Sequence, residues 1–498
     1  MIDIIWLIIV PLLAGFSLFF IDLYLPKLKG IFILSNGLLI FLLSISLLIK
    51  VIDHPLIYNL GNWKQGLGIS LIVDPLGGLL AVLITFISFI ILSYSLSYIQ
   101  INQLKYYTLL FLLITGMLGM VLTGDLFNLY VFFEITSIIS YVLVAFNKKD
   151  IAFEASFKYM IIGSISGILI LLAIILIYQS TGTLNLAQLV ITAKNIPLKL
   201  KQVIAVLLLI GFGSKFALVP LHTWLPDAHS TAPSSISALL SGVVIKVFLY
   251  ALLRVLFVIF RVEELLALKL NLVFLYGGVI TLLTGHLLAY RQNNLKRLLA
   301  YSSIAQIGYI LIGIGVFNAA GLEGAIYHII NHAVVKGVLF MTAGILILKA
   351  KKKDIADLKG IAYQLPLSSF IFTISALNIV GLPPFNSFIS KWILTTAALK
   401  AGFIIPAISI LIGSLISLSY YLKIIILFYT KVTEKINIIS IPYQLQLGPL
   451  LLSLSYLPLA FFPDFLLLFI KKAPLFLLKP INYHNILLGG EKWLGLFG

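Results

Sequence analysis

Apolar runs of about twenty residues, parted by short polar stretches, recur along almost the whole chain. A run of that length spans the hydrocarbon core of a bilayer as a helix, and in lipid every backbone N–H and C=O must find its partner inside the protein. The chain is thereby restricted to a bundle of membrane helices. Composition agrees, because 61% of the 498 residues are hydrophobic and only 10% are charged, whereas soluble domains run at roughly half and a quarter. The expected fold class is an all-α polytopic membrane protein with about fourteen transmembrane helices, near 3–22, 30–51, 72–97, 107–123, 126–147, 158–179, 202–220, 235–259, 271–290, 297–317, 323–349, 366–392, 403–429 and 446–471. The apolar N-terminus has no basic leader region and reads as a retained first helix. Segment 54–68 reads as an outer loop with room for a short hairpin, and the tail beyond Lys472, with Pro480 and Trp493, as an interfacial segment of unassigned role.

A net charge of +17 raises nucleic acid as a partner, but the basic residues sit mostly in short loops between apolar runs, which is how Lys and Arg fix membrane orientation. Four clusters define the cytoplasmic side: Lys148 with Lys149; Arg291 with Lys296 and Arg297; 351–353 with Lys359; Lys431 with Lys435. The loops near 122–125 and 318–323 lack Lys and Arg and fit the outer side, while Lys194, Lys199 and Lys201 run against the rule. An even helix count then puts both termini outside a cell (inner) membrane. With no cysteine in the chain, disulfides, thiolate-held iron–sulfur clusters and a catalytic thiol are excluded.

Two segments are interrupted alike. GFGSKFALVPLHTWLPDA (211–228) holds Pro220 and Pro226, and ALNIVGLPPFNSFISKW (376–392) holds Gly381, Pro383 and Pro384. Proline frees backbone groups at membrane depth, which is tolerated only where protein or a water-filled cavity satisfies them. Each break has a lysine beside it, Lys215 and Lys391. Paired broken helices point to inverted repeats around a midplane site. The expected organisation is helices 1–3 over 1–106, a five-helix repeat over 107–259, its inverted copy over 260–429, and helix 14 with the tail over 430–498. The competing reading is ordinary glycine and proline usage in membrane helices.

Glu134, Lys215, Lys246 and Lys336 fall well inside their apolar runs. A lone charge at such depth costs on the order of 3 kcal/mol on insertion scales, so each needs a partner, a cavity or neutralisation. Desolvation disfavours the charged form of acid and base alike, which poises such groups to exchange protons, and a Glu134–Lys215 pair would couple its titration to the next site. The rival is polar glue between helices. His328, His332 and Lys336 are spaced four apart in YHIINHAVVKG and share one helix stripe, with about 6 Å of rise between neighbours, which suits a water-bridged relay. Packed polar histidines and a zinc site are the alternatives. The metal reading is the weakest, because HIINH lacks the glutamate of H-E-x-x-H and no third ligand is evident. His222 reads as lining the mouth of the first break and His229 as loop. Gly163 and Gly167 in GSISG form a close-packing G-x-x-x-G pair rather than a nucleophile elbow, and there is no dinucleotide loop or P-loop. No cofactor, metal or catalytic residue is expected.

GDLFNLYVFFEITSIISYVL (124–143), GSKFALVPLHTWLPDAHSTAPSSISALLSGVVIK (213–246), LKRLLAYSSIAQIGYILIG (295–313), HIINHAVVKGVLFMTAG (328–344) and GLPPFNSFISKW (381–392) together closely resemble the antiporter-like subunit family. That family comprises the D-type chains of Mrp sodium/proton antiporters, related subunits of membrane-bound hydrogenases, and the M- and N-type proton-pumping subunits of complex I. The resemblance covers most of the chain and implies fourteen helices with two inverted five-helix repeats. It makes Glu134 the glutamate of the fifth helix and Lys215 its partner on the broken seventh. Lys246 becomes the connecting lysine of the eighth, Lys336 the central lysine of the eleventh, and Lys391 the terminal lysine of the broken twelfth. Asn386 and Ser387 depart from the small residue and glycine common there; Glu154 and Lys158 fit the pattern after helix five. The resemblance implies a proton-translocating subunit of a multisubunit membrane complex, most like the D-type chain of an Mrp antiporter, with a proton pathway through Glu134, Lys215, Lys246, His328, His332, Lys336 and Lys391. The alternative is the pumping subunit of a hydrogenase or complex I-like NADH:quinone oxidoreductase. Expected partners are the other membrane subunits of such an assembly, protons, sodium as a second candidate cargo, and the lipid bilayer, with no nucleic acid. Redox chemistry, where present, belongs to partner subunits. A self-sufficient symporter and a non-conducting membrane scaffold are the rivals of another class; an autonomous oxidoreductase is weakest, since nothing would hold a flavin, haem or cluster.

Overall fold

In the computed structural model, residues 4–52, 55–63, 68–431 and 441–478 are described. The long elements in chain order are α1 (Trp6–Tyr24), α2 (Lys29–Val51), the strands β1 (Leu56–Asn59) and β2 (Ser70–Val73), α3 (Pro75–Tyr98), α4 (Gln103–Leu122), α5 (Leu126–Val144) and α6 (Asp150–Thr181). The broken α7 follows as α7a (Leu198–Lys215) and α7b (Trp224–Thr231), then α8 (Ser234–Ile259), α9 (Leu270–Tyr290), α10 (Leu295–Gly315) and α11 (Ala319–Ala350). The broken α12 is α12a (Pro366–Val380) and α12b (Asn386–Lys400), and α13 is Ile404–Tyr429. A bent pair ends the described chain, α14a (Tyr443–Phe461) and α14b (Pro463–Ile470).

Among the described residues, eleven helices are long and apolar enough to cross a membrane, and the bent pair makes twelve if it is one span. The stretches at 202–220 and 366–392, expected to be interrupted, are divided at 216–223 and 381–385, while the run expected at 446–471 turns by 85° before Pro463, where proline withholds a backbone donor. The expected helix at 158–179 starts earlier, at Asp150, so the polar FEASFKY turn is helical. Lys435, Pro480 and Trp493 lie outside the described residues.

Polar residues set several helix starts. Asp74 caps α3 through Gly77 N–H at 2.6 Å, Asp125 caps α5 through Asn128 N–H at 2.9 Å, and Asn318 caps α11 through Gly321 N–H at 2.9 Å. The short hairpin allowed for in the first loop forms between β1 and β2, Leu56 opposite Val73. The buried Arg254 guanidinium ties it down, donating to the carbonyls of Ile72 at 2.8 Å and Val121 at 2.9 Å.

Burial separates centre from rim. The apolar stretches of α8 and α10 are each 94% buried, while those of α1, α2 and α13 are 33% or less, and their outward Phe16, Phe20, Ile31 and Leu415 are more than half exposed, as lipid-facing side chains are. Because lipid removes the hydrophobic drive for association, close packing holds the bundle together. A methyl group on Gly285 would stand 2.5 Å from Ala305 N, so α9 and α10 meet backbone to backbone. The two 32-residue helices, α6 and α11, each precede a broken one.

Candidate functional site

The first break delivers Lys215 as the last residue of α7a, 1% exposed. Its Nζ donates to Tyr141 OH at 2.6 Å and Ser137 Oγ at 2.8 Å. The rings of Phe133 and Tyr141 at 4.9 Å, with Tyr159 and Phe248 at 5.5 Å, enclose the ammonium, an arrangement that favours a cation. Glu134 sits on the same face of α5, three residues before Ser137 and seven before Tyr141. It is an electrostatic neighbour of Lys215, but the lysine's hydrogen bonds go to the two hydroxyls. Glu134 is half-buried and lines a cleft of about 610 Å³ with Tyr141, Lys105 and Lys148. The G-x-x-x-G pair makes the room: a methyl group on Gly163 would fall on Tyr141 OH and 2.6 Å from Lys215 Nζ, and one on Gly167 would fall on a Glu134 carboxylate oxygen.

The backbone opened at this break is satisfied by protein, as membrane depth requires. Trp224 Nε1 donates to Ser214 O at 2.7 Å, Leu218 N to Gly213 O at 2.8 Å, and Val219 N to Thr281 Oγ1 at 3.2 Å. Trp224 lies flat on Tyr159, ring centroids 3.8 Å apart.

In the centre lie Lys246 (1% exposed) and Lys336 (0% exposed). A π-helical turn at Leu240–Val244 widens α8 just before Lys246, a device often found at functional sites. The Lys246 ammonium folds back onto Ser241 O, and the Ser241 hydroxyl meets Ser303 Oγ at 2.8 Å. Lys336 donates to Leu299 O at 3.0 Å and to Ser302 Oγ. Among the described residues, neither lysine has a carboxylate within 4.0 Å; only carbonyl and hydroxyl dipoles hold their charge. The two cations are within electrostatic reach of each other and repel, which favours one proton at a time.

The expected histidine stripe is divided. His328 is held at both ring nitrogens, Nδ1 by Ser390 Oγ at 2.9 Å and Nε2 by Gln306 Oε1 at 2.9 Å. The His332 ring lies 6.4 Å away, and neither of its nitrogens meets a protein partner. A fully buried imidazole so placed requires water. His229 was expected in a loop but is helical, 0% exposed, and stacked on Phe340 with both ring nitrogens likewise unpartnered. His222 is half-buried in the turn of the first break. Lys296, expected among the cytoplasmic loop charges, is 6% exposed and donates to Ala232 O. Its place in the first turn of α10 is what a count of loop charges misses. Nearby, Asp227 joins α7b to two helices, accepting from Arg297 at 2.7 Å and Lys158 at 3.2 Å, with Glu154 on Lys158 at 2.7 Å.

At the second break Lys391 reaches back to the carbonyls freed at the end of α12a, Val380 O at 2.8 Å and Ile379 O at 3.1 Å. It also donates to Ser414 Oγ at 3.1 Å and lies 4.5 Å over the Tyr309 ring. Gly381 turns the chain at φ 87°, where a side chain would be strained and its Cβ would meet Lys391. Asn386 donates to Asn331 Oδ1 at 2.6 Å and receives Asn331 Nδ2 on its carbonyl at 3.0 Å, while Ser387 N donates to Asn378 Oδ1 at 3.2 Å. The two departures from the family pattern thus cross-link α12b to α11 and α12a.

Sequence reasoning missed Ser137, Tyr141, Ser302 and Tyr309, which meet the lysines, and His286 with Tyr420, which meet each other. Their signal was weak: hydroxyl residues are common in membrane helices, and only His286, a lone imidazole at depth, stood out as testable.

Residues 123–417 match the model of the NADH:quinone oxidoreductase/Mrp antiporter transmembrane family. The chain is 36% identical over 433 residues to the N chain of NADH-quinone oxidoreductase from Desulforudis audaxviator, covering 85% of this chain and 86% of that one. It is 34% identical over 390 residues to the D chain of the Na(+)/H(+) antiporter from Alkalihalophilus pseudofirmus, 77% of this chain and 78% of that one. A chain in the solved structure of the membrane-bound sulfane sulfur reductase, an archaeal respiratory membrane complex, superposes with a TM-score of 0.92 at 31% identity, over 98% of this chain and 100% of that chain.

Proposed function

The chain belongs to the NADH:quinone oxidoreductase/Mrp antiporter transmembrane family, and from that premise we propose that it is the proton-translocating subunit of a multisubunit membrane complex. The observation that carries this reading is the row of ionisable groups at membrane depth, Lys215, Lys246, Lys336 and Lys391, each 5% exposed or less and held by dipoles rather than by an acid. Purely structural glue would pair such charges or replace them, since each is costly in hydrocarbon. In this reading protons pass from Glu134 to Lys215, through Lys246 and water at His332 to Lys336, and past His328 to Lys391. Like-charge repulsion between neighbouring lysines makes each arrival expel the next proton.

The proposed organisation keeps helices 1–3 (1–106), two inverted repeats (107–259 and 260–429) and a C-terminal part (430–498). The parallel placing of α6 with α7 and α11 with α12 supports it. The proposed location is the cell (inner) membrane with both termini outside. Two drives fit. An Mrp-type exchange of sodium for protons has the likeness to the D chain of a Na(+)/H(+) antiporter behind it; a redox-driven assembly has the likeness to the N chain of NADH-quinone oxidoreductase and the superposition on a respiratory complex.

The test uses membrane vesicles carrying the complete native complex. Proton movement is followed by a pH-sensitive dye after a sodium pulse or after reductant. Glu134→Gln is expected to reduce proton movement at least tenfold while the complex assembles normally. Undiminished movement would refute the reading, and the stimulus that works identifies the drive.

A further inference from the structure

The geometry points to the dominant proton route between Lys336 and Lys391: a wire through His286, used in preference to passage past His328. It rests on the proton-translocating function proposed for the chain. Starting at the centre, Lys336 Nζ donates to Ser302 Oγ. Ser302 Oγ meets Tyr421 OH at 3.1 Å, and the Tyr420 ring lies beside that of Tyr421, centroids 4.7 Å apart. Tyr420 OH lies 3.1 Å from His286 Nδ1. The opposite nitrogen, His286 Nε2, lies 3.2 Å from Tyr309 OH. Tyr309 OH is 3.4 Å from Ser414 Oγ, and Ser414 Oγ receives Lys391 Nζ at 3.1 Å. Every link from Tyr420 to Lys391 is direct, and water is needed only between Ser302 and Tyr420. By contrast, the expected relay is interrupted at His332, whose ring nitrogens have no protein partner.

Five helices assemble the wire: α9 gives His286, α10 gives Ser302 and Tyr309, α13 gives Ser414 and Tyr420, and the two lysines come from α11 and α12b. His286, Ser302, Tyr309 and Tyr420 are 1% exposed or less. The charged side chains within electrostatic reach of His286 are Lys391 and Lys336, the two ends of the path. A methyl group on Gly413 would stand 2.5 Å from Leu282, 2.7 Å from Tyr309 OH and 3.1 Å from His286, so glycine lets α13 come close enough for the contact.

Every member can both accept and donate, as a proton wire requires. With Lys336 charged and Lys391 neutral, Lys336 gives a proton to Ser302 Oγ while Ser302 passes its own through water to Tyr420. Tyr420 protonates His286 Nδ1, the proton on Nε2 moves to Tyr309, Tyr309 protonates Ser414, and Ser414 protonates Lys391. One proton leaves Lys336 and one arrives at Lys391. His286 has exchanged one neutral tautomer for the other, and each hydroxyl has exchanged its proton.

The test compares His286→Gln, Tyr309→Phe and Lys336→Met in the native complex, with dye-monitored proton movement and the amount of assembled complex as readouts. Glutamine still donates and accepts hydrogen bonds at its two ends, so it keeps the architecture, but it cannot swap tautomers. The expected result is at least a tenfold loss of proton movement in His286→Gln and in Tyr309→Phe, at normal assembly. Rates within twofold of wild type in both variants would overturn the wire. Lys336→Met separates the two readings. If it abolishes proton movement while both wire variants are silent, only the wire fails; if it is silent too, the proton-translocating reading fails.

Discussion

Replacing Tyr141 by phenylalanine removes one oxygen atom from the tightest contact of the first half-site. The phenolic OH is 2.6 Å from Lys215 Nζ, and the remaining side-chain hydrogen bond is to Ser137 at 2.8 Å. A hydrogen bond to a charged group contributes about 1.5–3 kcal/mol, so the charged form of Lys215 becomes roughly ten- to hundredfold less favoured relative to the neutral one. The ring stays in place, 4.9 Å from Nζ and 4.6 Å from Tyr159, so packing is preserved and the complex should assemble. Proton movement in vesicles of the native complex should fall about tenfold or more, following the loss of charged Lys215. Ser137→Ala should give a loss in the same direction. A Tyr141→Phe rate within twofold of wild type would refute the idea that these hydroxyls set the charge state of Lys215.

Gly163→Ala should be more damaging, because its methyl group lands on the same Tyr141 OH and near Lys215; lost proton movement and a lowered Tm of the purified complex would both register it. On the α7a flank, Lys201 is 3% exposed and pairs with Glu264 at 2.6 Å. Glu264→Gln, with that carboxylate partly solvated, should destabilise by about 1–3 kcal/mol, and Lys201→Met with Glu264→Gln should restore Tm. Asn386→Ala removes the 2.6 Å bond to Asn331 and leaves a buried amide short of a donor. A stability loss of about 1–3 kcal/mol is expected from denaturation midpoints.

The features most legible in the sequence were those that violate what lipid tolerates. Pro220 and the Pro383–Pro384 pair announced broken helices, and Glu134 with the buried lysines announced a polar interior, because each is expensive in hydrocarbon without a compensating structure. What compensates them was not legible. The hydrogen-bond partners of Lys215 are a tyrosine and a serine, with Glu134 acting on it through charge, and such hydroxyl residues sit in many membrane helices for other reasons. His286 depends on contacts between helices far apart in the chain, which helical periodicity does not encode. Lys296 and His229 were misassigned for the opposite reason: loop-like, charged surroundings concealed side chains that turn inward. Asn386 and Ser387 looked like departures, and only the three-dimensional contacts give them a role as ties between α12b, α12a and α11.

The central claim is that protons cross this protein on buried lysines, and Lys336 is the position that tests it most directly. It is fully buried, holds no acid partner among the described residues, and ends on Leu299 O and Ser302. Lys336→Met keeps nearly the same length and volume while removing the proton carrier. Dye-monitored proton movement by the assembled native complex carrying this substitution should fall to the level of vesicles lacking the complex. Assembly at wild-type levels together with undiminished proton movement would contradict the account.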